Sequence, residues 1–260
     1  MRNAIIFLLM LCFTISAQAQ VKKHIKKGRR YKSESQFALN KNDFQAEWEF
    51  GREAVDSQLT TITYPDLELH YALSDRLEVN TEMSLITTAE KSYSLQKNTS
   101  GIEPVLIGAN YQVLRDTYNT PSIIVSTQLA IPFLATKEFT IDHLAPIVQV
   151  NIQEAVHDKW IFGLSGGLLW DGFSTSPSFI YNANTAYTFN KKWMITAECF
   201  GFINHDLPQN NLDASLAYVV NDLIQFGVTA GAGISSAAPK NYFAVNGTWG
   251  FNTSRKRQVH

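Results

Sequence analysis

YPDLELHYALSDRLEVNTEMSLI, from Tyr64 to Ile86, is apolar at every second residue from Leu67 to Leu73 and, with Thr81 the one exception, from Leu77 to Leu85, on either side of a three-residue polar break. Leu67, Leu69, Tyr71 and Leu73 alternate with Glu68 and His70. Ser74-Asp75-Arg76 follows, a connection short enough only for a hairpin. Then Leu77, Val79, Met83 and Leu85 alternate with Glu78, Asn80, Glu82 and Ser84. Successive strand side chains point to opposite faces, so this is a hairpin with one apolar face and one charged face. A helix would scatter a period of two around its whole circumference.

The same period recurs along the chain. Phe44, Ala46, Trp48 and Phe50 alternate with Gln45, Glu47 and Glu49. Val105 to Val113, Ile123 to Ile131, Val148 to Ile152 and Trp160 to Trp170 continue it. Phe179 to Phe189, Trp193 to Ile203, Leu212 to Val220, Ile224 to Ala232 and Phe243 to Phe251 complete it. These make about twelve strands of roughly ten residues, the length of a tilted membrane strand. Pro132, Pro146, Gly166 and Gly167 interrupt the pattern, where bulges or strand ends are expected.

The connections alternate between short and long. Ser74 to Arg76, Arg115 to Thr120, His157 to Lys159, Asn190 to Lys192 and Asn221-Asp222 are tight and polar. Thr88 to Ser100, Leu134 to Asp142, Gly172 to Pro177, His205 to Asn211 and Ser235 to Asn241 are longer. A barrel with short periplasmic turns and longer outer loops sorts its connections this way. Tyr71, Tyr111, Trp160, Tyr187, Phe189, Trp193 and Tyr218 gather beside the short turns, where an interfacial girdle belongs. The fold expected is therefore an antiparallel transmembrane β-barrel of about 12 strands, closed so that every backbone group is paired in lipid.

Composition agrees. The 260 residues carry 17% charged residues and a formal net charge of −1, where about a quarter charged is usual for a soluble domain. Mean hydropathy is −0.11, and nothing after the first twenty residues resembles the roughly 18-residue apolar run of a membrane helix. The neutral balance excludes a nucleic-acid footprint over the whole molecule.

Arg2, the apolar run Ala4 to Ile15 and Ala17-Gln18-Ala19 form a signal peptide, with maturation expected at Gln20. Leu11 before Cys12 is not small, which argues against a lipoprotein; Cys199 is then the only cysteine retained, and it can form no internal disulfide. The expected divisions are a signal peptide at 1–19, a basic tail at 20–36, the barrel at 37–252 and a C-terminal tail at 253–260. Lys22, Lys23, Lys26, Lys27, Arg29, Arg30 and Lys32 crowd the basic tail. It is read as a solvated segment, or as one that meets anionic headgroups or enters an acidic lumen.

Asp66 to Val79, with Tyr187 to Gly201, Leu212 to Ile234 and Ala238 to Phe251, resembles the outer-membrane β-barrel family named for the meta pathway of phenol degradation. That resemblance spans roughly Phe37 to Phe251. It implies a channel or transporter for small, hydrophobic solutes in the outer membrane; the inward acids extend that expectation to cationic solutes, and the lack of a complete catalytic set speaks against an enzyme.

Inward parity selects Glu47, Glu49, Glu68, His70, Glu78, Glu82, Glu198 and Asp213 as candidate lumen-lining residues. Basic residues are expected at inward positions only at Arg52 and Arg76, near strand ends. Rings of carboxylates favour cations in pores, while the same groups could equally form a polar network in a filled, structural barrel. Glu68, Glu78 and His70 admit an acid–base reading, and His205-Asp206 a hydrolase one, but neither completes a catalytic set. No cofactor or metal is expected. The expected partners are outer-membrane lipid, the barrel-assembly machinery and an unnamed small solute, with no nucleic acid.

Overall fold

The computed structural model describes residues 40–252 apart from 93–94, 116–119, 157–158, 191, 204–207 and 222. The expected signal peptide, the whole of the basic tail and the C-terminal tail lie outside the described residues. The strands run β1 (Asp43–Ala54), β2 (Leu59–Ala72), β3 (Leu77–Ser92), β4 (Leu95–Ile102), β5 (Val105–Leu114), β6 (Ser122–Ile131) and β7 (Ala145–Val156). They continue with β8 (Trp160–Leu169), β9 (Ser178–Asn190), β10 (Trp193–Ile203), β11 (Pro208–Asn221), β12 (Ile224–Gly233) and β13 (Asn241–Asn252).

Each barrel strand pairs antiparallel with its neighbours in sequence, and β1 closes the ring by pairing with both β2 and β13. Asp43 stands opposite Asn252, so both ends of the barrel chain lie at the short-turn rim. β3 pairs with β5 through Leu77–Glu82 and with β4 through Leu85–Ser92. β4 and β5, parted at Glu103-Pro104, therefore fill one position in the ring, and the barrel is closed with twelve. Thr88 to Ser100 is thus not a loop: most of it is a ribbon of β3 and β4 that extends the wall beyond the long-loop rim. It escapes the alternation rule because both of its faces meet water.

The pattern is inverted relative to a soluble sheet. Val79, Met83, Ile107, Val150, Phe162, Leu164, Ile195, Leu216 and Val228 are exposed on the outer wall. Asn80, Ser84, Asn110, Gln149, Asn151, Ser165 and Asn182 are buried on the inner one. Lipid is the solvent that makes this arrangement favourable. At the short-turn rim Trp160 and Tyr187 lie 4.6 Å apart between ring centroids, Trp193 and Tyr218 4.8 Å, and Phe44 and Phe251 5.0 Å. These outward pairs form the girdle that the sequence places there.

Bulges reset the pattern near three short turns. Val113, Phe189 and Val220 are extra residues at register shifts, and all three are exposed. A fourth bulge at Tyr64-Pro65 lets β2 run back to Leu59 while keeping Thr61 and Asp66 on the inner side. Of the four interruptions expected, Pro132 begins a 3-10 turn at the end of β6, and Pro146 is the second residue of β7. Gly166 and Gly167 contradict the expectation, because they continue the β8 ladder in regular register with β7 and β9.

With the girdle and the even ring, the expectation for the short turns is the periplasmic side. A cysteine at Lys97, on the outer ribbon, should react with an impermeant thiol reagent on whole cells, and one at Asp75 should not. The reverse labelling pattern would invert the topology.

Candidate functional site

The inner wall divides into two arcs. From β10 through β11, β12, β13, β1 and β2 to β3 it carries carboxylates. Register places Glu47 beside Glu68 and Glu68 beside Glu82, a row across three strands. Glu49 stands opposite Asp66, and Glu198 opposite Asp213. All eight expected residues lie on this arc, with His70, Glu78, Glu82, Glu198 and Asp213 buried and Glu47, Glu49 and Glu68 partly so.

His70 ties the first group together. Its Nδ1 is 2.7 Å from Glu78 Oε1, and its Nε2 is 3.1 Å from Glu68 Oε1, an ion-pair contact outside hydrogen-bond geometry. Asn110 Nδ2 donates to Glu78 Oε1 at 3.1 Å, and Gln45 Nε2 to Glu47 Oε1 at 2.6 Å. The hairpin turn produces this contact by putting Glu78 and Ala72 opposite one another, so His70, two residues earlier, reaches the same carboxylate. In the second group Glu198 accepts from Asn182 Nδ2, and Asp213 Oδ2 accepts from Tyr242 Oη at 3.2 Å.

The other arc, β5 to β9, has no inward carboxylate among the described residues. Toward the short turns it presents Asn110, Gln112, Ser122, Ser126, Gln149, Asn151 and Gln153. Toward the long-loop rim the wall turns apolar: Leu106, Ala130, Ala145, Ile147, Leu169 and Ile180 join Phe202 of β10 in one buried cluster. Ile141, from the connection between β6 and β7, packs against it. That connection is pinned at both ends, by Thr136 N–H to Ile102 O at 3.0 Å and His143 N–H to Gly172 O at 3.0 Å. Gly172 adopts φ +78°, and a Cβ there would lie 2.7 Å from Ile141 Cδ1, so the close approach requires glycine.

Two expectations need correction. Arg52 and Arg76 do not face inward: both are exposed, Arg52 on the outer parity of β1 and Arg76 in the β2–β3 turn. Every lysine and arginine among the described residues is exposed. His205 and Asp206 lie outside the described residues. Sequence reading missed Glu53 and Asp66, which simple parity counting from Glu47 and Glu68 would have reached. It also missed the apolar layer, because Phe200-Gly201-Phe202-Ile203 is apolar on both faces and shows no alternation.

Residues 27–250 match the family model described as "Putative MetA-pathway of phenol degradation". No curated protein matches the chain. Among solved structures, an outer membrane channel from Pseudomonas putida F1 is similar at 14% identity and a TM-score of 0.66, over 87% of this chain and 100% of that one. The KdgM porin in complex with disordered oligogalacturonate is 12% identical with a TM-score of 0.57, over 80% of this chain and 99% of its own. The NanC porin is 10% identical with a TM-score of 0.54, over 78% of this chain and 98% of its own. At these identities the likeness shows a shared outer-membrane barrel fold.

Proposed function

This chain belongs to the family described as "Putative MetA-pathway of phenol degradation", and from that premise we propose that it is an outer-membrane channel for small solutes combining an apolar body with a hydrogen-bond donor or a positive charge. The signal peptide directs its export and is removed. One observation carries the reading: the interior is two-sided, with carboxylates along one arc, no described lysine or arginine facing inward, and an apolar layer on the other arc toward the outer end. A wall of that sign lowers the energy of a cation in transit and raises that of an anion. The apolar layer offers the rest of the solute a dry contact before it meets the acids. Oligogalacturonate, named with the KdgM porin, is an acidic sugar chain; the barrel shape is shared, but this interior has the sign that would repel it. The molecule acts by passage and catalyses no reaction.

In planar bilayers under a salt gradient, the reconstituted protein should show a reversal potential that favours cations. Replacing Glu78, Glu82 and Glu198 together by glutamine should reduce that preference while the barrel stays folded. Molar salt should blunt the effect as well, since screening then acts within about 3 Å. A second reading, a filled structural barrel, draws on inner side chains as enclosed as Asn182 and Ser122, at 0% and 1% exposure. It predicts no conductance and no solute uptake before or after the substitutions, and that result would remove the channel reading.

A further inference from the structure

We infer that the acidic arc of the lumen is a docking site for the chain's own basic segment, Val21 to Lys32. Three independent features lead there. The first is charge: Lys22, Lys23, Lys26, Lys27, Arg29, Arg30 and Lys32 fall within this one short segment, while the inner wall carries an excess of acids and no described lysine or arginine.

The second is a surplus of acceptors. The side-chain carbonyl oxygens of Asn80, Asn110, Asn151 and Asn211 are buried without a hydrogen-bond partner, in residues exposed by only 5%, 8%, 4% and 1%. Asn80, near the short turns, and Asn211, near the outer rim, belong to the acidic arc, and Asn110 and Asn151 to the other arc of the same lumen. A buried oxygen of this kind wants an N–H donor. Lysine brings three donors and no acceptor, and arginine five.

The third is direction. Asp43 N–H donates to Asn40 O at 2.9 Å, and Asn42 between them has φ 68°. Asn42 N–H also donates to Ala72 O at 2.9 Å, and Lys41 N–H to Asp75 Oδ1 at 3.0 Å. This turn, fastened to the end of β2 and to the β2–β3 turn, reverses the chain at the short-turn rim. A reversal there would let the segment before Asn40 run back along the barrel. On the lipid side a block of lysine and arginine would be desolvated against hydrocarbon; on the lumen side it meets carboxylates. The reach suffices. Eight residues from Asn40 back to Lys32 span up to about 26–29 Å when extended, and the apolar band of such a barrel is about 25 Å tall. Tethering makes the encounter intramolecular, so modest contacts are enough to hold it.

Docking itself rests on the fold alone; its consequence for permeation rests on the channel reading. In a Cys199→Ser background of the full chain, Lys26→Cys combined with Asn80→Cys should cross-link with a short bismaleimide while the protein keeps the heat-modifiable gel shift of a folded barrel. Lys26→Cys with Leu216→Cys, on the lipid face, should not. If Asn80→Cys impairs folding, Asn110→Cys samples the same lumen. A second measurement replaces all seven basic residues by glutamine, which should raise cation selectivity several-fold because the wall loses its counter-charge. Cross-linking with no conductance in any variant would uphold docking and remove the channel. Folded protein that gives no cross-link to either lumen cysteine, with selectivity unchanged by the glutamine variant, would overturn docking and leave the channel in place.

Discussion

Leu216→Arg should destabilise the folded barrel by about 2–4 kcal/mol, the loss expected for a cation on the lipid face near the midplane. Leu216 lies well within β11, with Ile195 and Val228 directly opposite on the neighbouring strands. The three form an exposed aliphatic row on the outer wall, with no carboxylate in it to receive a guanidinium. Ser215 is one residue away and faces inward, its Oγ 2.8 Å from Thr229 Oγ1. Ser215→Arg should therefore cost the fold less, since the guanidinium enters a wall lined with carboxylates, and should show itself in permeation. Urea titration of protein folded into vesicles reads the first effect, and bilayer conductance the second. Equal destabilisation by both substitutions would mean that the two faces of β11 are misassigned.

That contrast rests on a distinction already legible in the sequence, and the reason is physical. Inside hydrocarbon each strand must show one face to lipid, so Leu212, Leu216 and Val220 could be told from Asp213 and Ser215 by parity alone. The rule fails where lipid stops acting. Thr88 to Ser100 stands beyond the rim in water, both faces are free to be polar, and a long ribbon reads as a loop. It fails again at the Tyr64-Pro65 bulge, where the extra residue breaks the count and hides the first half of β2.

The acids of the candidate site were legible for the same reason as the lipid face, since Glu47, Glu68, Glu82 and Glu198 all sit on inward parity. Their grouping was not. Whether Glu68 meets Glu82 or His70 meets Glu78 depends on inter-strand register, which one strand's pattern does not contain. A one-residue slip would turn each of these side chains to the other wall. The apolar layer at the outer end was hidden for a third reason: where both faces are apolar, alternation carries no signal, and only the closing of the ring shows that Leu106, Ile147 and Phe202 share a side.

The largest effect inside the barrel is expected at His70. Its ring lies between Glu78 and Glu68, at 2.7 Å and 3.1 Å, in a row where Glu47 and Glu82 are the next carboxylates on either side of Glu68. His70→Leu removes both ring nitrogens and sets an apolar group among acids. Glu78 keeps the bond from Asn110, and Glu68 keeps only a long contact from Asn80 Nδ2 at 3.5 Å. Leaving such acceptors short of a donor costs about 1–3 kcal/mol for a buried group, so the loss should fall in that range. Glu78→Gln in the same background removes one of the facing carboxylates, and the double variant should be more stable than the sum of the two single losses predicts. A coupling of about 0.5–3 kcal/mol is the expectation for residues in direct contact. His70→Gln, which retains a donor near the same place, should recover part of the loss where His70→Leu does not. Strictly additive losses, with no difference between the leucine and glutamine variants, would show that the histidine fills space beside the acids without holding them together.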